Sequence, residues 1–119
     1  MQLNILIKDA HDNAVKKGFF EAEDSVINKM LINHEFSIQE IKAVKNAFKS
    51  QNLMLLVGEV AEANEALRKN DEENFKEELA DIAIRLAGQC GNLGLDLDTE
   101  IRKKMDKNIN RPYMHGKAF

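Results

Sequence analysis

Proline is almost missing from this chain: Pro112 is the only one in 119 residues, and there are just six glycines. Long stretches are therefore free to be helical, because only Pro112 removes a backbone donor and the glycines that loosen the chain are few. Cysteine is equally scarce. Cys90 stands alone, which excludes an internal disulfide, and no Cys/His cluster resembles a zinc site, so a reducing cytoplasm is the expected compartment. A basic excess is also lacking. With 17 basic against 20 acidic residues and a net charge of −3, the chain has no electrostatic footprint for a nucleic-acid backbone, and duplex binding is not expected. The longest apolar run, Leu53 to Val57, is too short to span a bilayer, and the opening Met1 to Lys8 is too short in its apolar part for a signal peptide. Neither membrane insertion nor export by that route is expected. No Gly-x-x-x-x-Gly-Lys-Ser/Thr stretch occurs, which excludes a P-loop nucleotide site. Strand-like alternation, repeats, linkers and low-complexity tracts are absent too. One domain over residues 1–119 is the expectation.

What the chain does have is carboxylates in apolar company. Glu59 and Glu62 lie in Leu-Val-Gly-Glu-Val-Ala-Glu-Ala, and Glu78 and Asp81 lie in Glu-Glu-Leu-Ala-Asp-Ile-Ala-Ile. Residues three apart on a helix are neighbours, so each pair points its two acids the same way. Four such groups brought together would carry a charge of about −4, which a water-poor interior tolerates only if cations neutralise it. Oxygen-only ligands suit Mg²⁺, with Mn²⁺ as a substitute, and Mg²⁺ commonly completes its shell with water and substrate phosphate. The plain alternative is a pair of solvated helix faces. Against it stand the flanking apolar residues, Leu53, Leu56, Val57, Val60 and Leu67 on one segment and Phe75, Leu79, Ile82 and Leu86 on the other, and the repetition of the device on consecutive helices.

Helical spacing of Leu3, Leu6, Ile7, Ala10, Ala14 and Val15 predicts a first helix over Asn4 to Lys17, ended by Gly18. Val26, Ile27, Met30 and Leu31 permit a short second helix capped at Asp24 or Ser25. Ser37-Ile-Gln-Glu40 is a capping-box pattern opening a further helix, which either runs through Asn52 or breaks near it before the segment Leu53 to Arg68. Asn70 to Glu73 supplies a turn and an acidic start for a helix over Glu72 to Gln89. Gly88, Gly91 and Gly94 are expected to mark its end, and Asp98 to cap a last helix over Thr99 to Asn108, before Arg111-Pro112 stops regular structure. The result is an all-α bundle of about four to five helices. These are too few and too short to enclose a carboxylate-lined cavity and both apolar faces, so completion by oligomerisation is expected.

Lys104, Asn108 and Arg111 are spaced four and three apart, and a helix continued that far would project them to one side. A cation, an amide and a guanidinium are suited to holding a polyphosphate, although a solvated basic helix end would look the same. His115 and Lys117 follow in a tail that mixes aromatic, imidazole and cationic groups and can order over a substrate. Cys90, Met54 and Met105 read as core positions. Arg85, one turn beyond Asp81, either pairs with an acid of the cluster or is a solvated charge; His11, Phe19 and Phe20 are weaker candidates for contacts to a base.

These motifs resemble those of the MazG-like, all-α nucleotide pyrophosphohydrolases, a group that includes the dimeric dUTPases and the dCTP pyrophosphatases. The resemblance rests on Glu59-Val-Ala-Glu62, on Glu78-Leu-Ala-Asp81 after a short turn, and on Lys104 to Pro112 as Lys-x-x-x-Asn-x-x-Arg-Pro. The opening His11 to Phe20 and the ending Arg111 to Lys117 are similar to one branch of the group, whereas Glu21 to Gln51 departs from it. The resemblance implies Mg²⁺-dependent hydrolysis of a nucleoside triphosphate between the α and β phosphates, yielding the monophosphate and pyrophosphate in nucleotide-pool house-cleaning. It implies Glu59, Glu62, Glu78 and Asp81 as metal ligands, with Glu59 and Glu62 the preferred catalytic carboxylates. Lys104, Asn108, Arg111, His115 and Lys117 would bind substrate, and the functional unit would be a homodimer or homotetramer. A deoxypyrimidine or a damaged nucleotide is the substrate expected on the same ground.

Two other classes compete. A di-iron carboxylate bundle needs Glu-x-x-His pairs, and the residues three before His11, His34 and His115 are Lys8, Leu31 and Pro112. A non-catalytic helical interaction or regulatory module remains, since helices alone do not specify function; it requires that metal leave stability unchanged.

Overall fold

The computed structural model describes residues 2–118. Over them the chain forms α1 (Gln2–Lys16), α2 (Glu21–Ile32), α3 (Ile38–Arg68), α4 (Glu72–Leu93) and α5 (Leu97–Ile109), then a 3₁₀ turn at Tyr113–Gly116, with no strand among the described residues. The all-α expectation holds. None of these helices is long and apolar enough to cross a membrane.

Local chemistry explains most boundaries. Ser37 Oγ accepts from the Glu40 amide at 3.1 Å and Glu40 Oε1 accepts from the Ser37 amide at 2.9 Å, so the expected capping box is formed. From it α3 runs 31 residues without a break at Asn52, a rod of about 46 Å. Gly18, Asn70 and Gly94, all at positive φ, end α1, α3 and α4. At each, the next amide reaches back five residues (Phe19 to Ala14, Asp71 to Ala66, Leu95 to Cys90), which satisfies helix-end carbonyls that a straight chain would leave open.

Three expectations need correction. Gly88 and Gly91 do not end α4, which continues to Leu93. They serve packing: a Cβ on Gly91 would lie 2.5 Å from His11 Cβ, so α1 approaches α4 where only glycine fits. Asp96 and not Asp98 caps α5, accepting from the Thr99 amide at 3.1 Å, and Asp98 instead pairs with Arg102 at 2.9 Å. Neither Asp24 nor Ser25 caps α2, which starts at Glu21 and has no side-chain cap.

α4 is the central element, packed on α1 along one side and on α3 along another. Ile7, Ala10, Ala87 and Cys90 form the buried core between α1 and α4, extended by Leu3 and by Leu97 of α5. Cys90 is thus the small core residue expected, and burial pushes its thiol pKa up, away from nucleophile chemistry. Met54 and Met105 were expected in the core, yet each is 60% exposed. They share that state with Leu53, Val57, Val60 and Leu67 along α3. The molecule is elongated, 51 × 37 × 31 Å, with 9279 Å² of accessible surface.

Candidate active site

α3 and α4 form an antiparallel hairpin about Asn70, which turns the two acidic motifs toward each other. One carboxylate oxygen each from Glu59, Glu78 and Asp81 lies within 4.8 Å of the other two. Glu62 stands outside that tight set but close enough to act on Glu78. Glu78 is the buried acid of the group, only 9% exposed, and its Oε2 is buried with no hydrogen-bond partner among the described residues. Loss of solvation is the main reason its pKa rises from 4.5 to about 7; hydrogen bonding with Glu59, the charge and hydrogen bonding of Glu62, and the charge of Asp81 push the same way. Carboxylates brought this close repel one another unless positive charge offsets them. The cluster therefore holds either a proton or another cation.

Arg85 occupies the rim. Its Nη2 and Nε lie 3.0 and 3.1 Å from Glu59 Oε1, and its guanidinium carbon sits 5.8 Å from the centre of the Phe19 ring. Arg85 is thus paired with the cluster, the first of the two readings its spacing left open. Beside these groups opens a cleft of about 330 Å³ whose walls include Glu59, Asp81 and Arg85. Phe19, Phe20, Leu55 and Ile84 give it apolar surface, and the amides of Asn13, Asn52 and Gln89 also line it. In the sequence Asn52 reads only as a possible helix break, and Gln89 only as an expected helix end. A signal is nonetheless present: each is an amide within an otherwise amphipathic helix, seven residues before Glu59 and eight after Asp81.

Phe20 is buried and packs on the His11 ring with centroids 5.7 Å apart. His11 is held there between α1 and α4 and does not line the cleft. The C-terminal group is not drawn to the acids. Helix α5 stops at Ile109, so Arg111 shares no helix with Lys104 and Asn108, and its Nη1 lies 3.4 Å from His115 Nδ1. Lys104, Asn108, Arg111, His115 and Lys117 are all exposed, and none lines the cleft.

A family model of the MazG nucleotide pyrophosphohydrolase domain matches residues 48–115, more than half of the chain. The chain belongs to this MazG family. The MazG match takes in most of the α3–α4 hairpin, with both acidic motifs, and α5 with the tail as far as His115; α1 and α2, which flank Phe19 and Phe20 of the cleft, lie outside it. No curated protein and no solved structure matches the chain significantly.

Proposed function

We propose that this MazG chain is a Mg²⁺-dependent hydrolase that splits a nucleoside triphosphate into the monophosphate and pyrophosphate, with Mn²⁺ an acceptable substitute. The observation that carries the reading is the meeting of Glu59, Glu78 and Asp81 within 4.8 Å, with Glu59 and Asp81 lining the cleft. The residues fit a hard divalent cation: the donors are all oxygen, and the buried Glu78 Oε2 lacks a partner that such an ion would supply. Glu59, Glu62, Glu78 and Asp81 would hold it. Bound there, the ion would neutralise charge that builds on the leaving pyrophosphate and acidify the attacking water.

The chain's own groups then have distinct tasks. A carboxylate of the first motif, Glu59 or Glu62, takes the water proton as the new P–O bond forms and the bond to the bridging oxygen breaks. Arg85, once Glu59 turns to the metal, is free to meet phosphate oxygens in the cleft. Lys104, Asn108, Arg111, His115 and Lys117 are the candidates for phosphates that extend beyond the cleft. A monomer of 13.5 kDa folded to ordinary compactness exposes about 6,500 Å². The 9279 Å² found here is an excess of the size that obligate self-association covers, which supports a homodimer or homotetramer as the working unit. Cytoplasmic house-cleaning of the nucleotide pool is the role that fits an enzyme of this class with one free, buried cysteine.

The test is a panel of standard and modified nucleoside triphosphates with Mg²⁺ and product identification. Monophosphate plus pyrophosphate is expected. Orthophosphate plus a diphosphate, or no turnover of any nucleotide with Mg²⁺ or Mn²⁺, refutes the proposal.

A further inference from the structure

We infer that the cleft takes the substrate's nucleobase and that Asn52 and Gln89 read its hydrogen-bonding edge. The inference rests on the pyrophosphohydrolase reading and adds to it the residues that choose the base. Three observations carry it. First, Asn52 Nδ2 and Gln89 Oε1 are both buried in the cleft wall and have no hydrogen-bond partner among the described residues. A buried polar atom left unpaired costs free energy, and a fold with no use for it gains by replacing it with carbon. One is a donor and the other an acceptor. Every nucleobase presents an acceptor beside a donor on its pairing edge, and their order differs between bases (amino donor then ring acceptor in A and C, carbonyl acceptor then ring donor in G and T), so a planar base with the right order can satisfy both atoms at once.

Second, the spacing along the helices matches a nucleotide. In the antiparallel hairpin Asn52 lies seven residues before Glu59 on α3 and Gln89 lies eight after Asp81 on α4, so the two amides share one end of the cleft. Two helical turns separate them from the acids, about 10–12 Å. That is comparable to the reach from a nucleotide's phosphates across its sugar to the far edge of the base. Third, the walls between the two ends suit a flat ring. Phe19, Leu55 and Ile84 supply apolar and aromatic surface, and at Gly88 α1 forms the neighbouring wall, with Ala10 O 3.7 Å from where a Cβ would stand. A sugar or a bare polyphosphate could hydrogen-bond to an amide but would leave the apolar and aromatic walls unmatched.

The experiment measures kcat/KM for a panel of deoxynucleoside triphosphates, and for a nonpolar base isostere of the preferred one, in wild type, Asn52→Leu and Gln89→Met. Wild type should prefer one base and turn over the isostere at least tenfold less well. Each variant should lose tenfold or more on the preferred base and little on the isostere, so that the preference shrinks. Melting temperatures of the substrate-free variants should stay level or rise, because an unpaired polar group has been removed. A fall in melting temperature, or failure to fold, would show the amides to be structural and overturn the inference. Unchanged base preference in both variants would overturn it as well. Asn52→Asp, which exchanges the donor for an acceptor, should redirect the preference and not merely weaken it. Absence of any nucleotide turnover by wild type is a different result: it removes the pyrophosphohydrolase reading on which this inference stands.

Discussion

At the scale of single residues, Glu78 holds the balance of the site. Its pKa rises on folding from 4.5 to about 7, so between those values the folded chain binds more protons than the unfolded one. The contribution to stability is fully present below pH 4.5 and is lost as pH rises toward 7. We therefore expect the melting temperature of metal-free protein to fall over that interval, and Glu78→Gln to flatten the fall and raise stability at neutral pH. Added Mg²⁺ should restore wild type most strongly at and above neutral pH, where no proton competes for the site, and by mass action that recovery should grow with ion concentration. Glu62→Gln and Asp81→Asn should suppress it. Calorimetry across pH with and without Mg²⁺ decides the matter; metal-independent melting in wild type would return the acids to solvated helix faces. The acids were legible in the sequence because a carboxylate at helical spacing among leucines and alanines is costly wherever it is not used. The two amides were not. An uncharged Asn or Gln costs little on a helix surface, and only burial in a particular wall makes Asn52 and Gln89 conspicuous.

Among the elements, α4 shows where reading by local rules succeeds and where it stops. Its start was legible through Asn70 to Glu73, since turn and capping chemistry is decided by adjacent residues; Asp71 accepts from the Asn74 amide at 3.1 Å. Its end was misplaced, because glycine in a sequence signals a break unless another helix is known to press against it. Gly91 should therefore respond unlike Gly58. Gly91→Ala drives a methyl to 2.5 Å from His11 Cβ and should cost about 1–3 kcal/mol as α1 is forced away. Gly58 lies inside α3, and a methyl added there would meet no atom within 4 Å, so its change to Ala should gain about 0.5–1 kcal/mol. Denaturant unfolding of the two variants measures both. Equal effects of one sign would mean that helix propensity alone governs these sites and that the close approach of α1 is unimportant. The last helix carries the same lesson: Asp96 and Asp98 are both acceptable caps by composition, and capping the helix at Asp96 brings Leu97 into it, where Leu97 packs on the buried core.

For the whole molecule, the radius of gyration of 17.8 Å exceeds the roughly 13.5 Å expected of a compact chain of this length. Apolar side chains of α3 such as Leu53, Val57, Val60 and Leu67 remain about half exposed, too many for a helix bundle that works alone in water. Sedimentation at micromolar concentration should accordingly find dimers or tetramers, and a charge placed by Val60→Glu or Leu67→Glu should weaken association and lower the melting temperature together. A fully active monomer would refute it. Fold class was legible from composition and period because both act within one chain. Which faces meet a second copy is not, since the same amphipathic stripe serves an internal or an external partner.

Unbroken α3 has one more consequence. Because Asn52 and Glu59 stand on the same unbroken helix, the hairpin is a gauge of fixed length: it cannot adjust the interval between the amide end of the cleft and the acidic end. A flexible loop between them would let molecules of different lengths find a productive fit. If the cleft takes the base as proposed, a molecule would be measured before it is cut, and one whose ring and phosphates are joined by a longer or shorter link would satisfy one end only by losing the other.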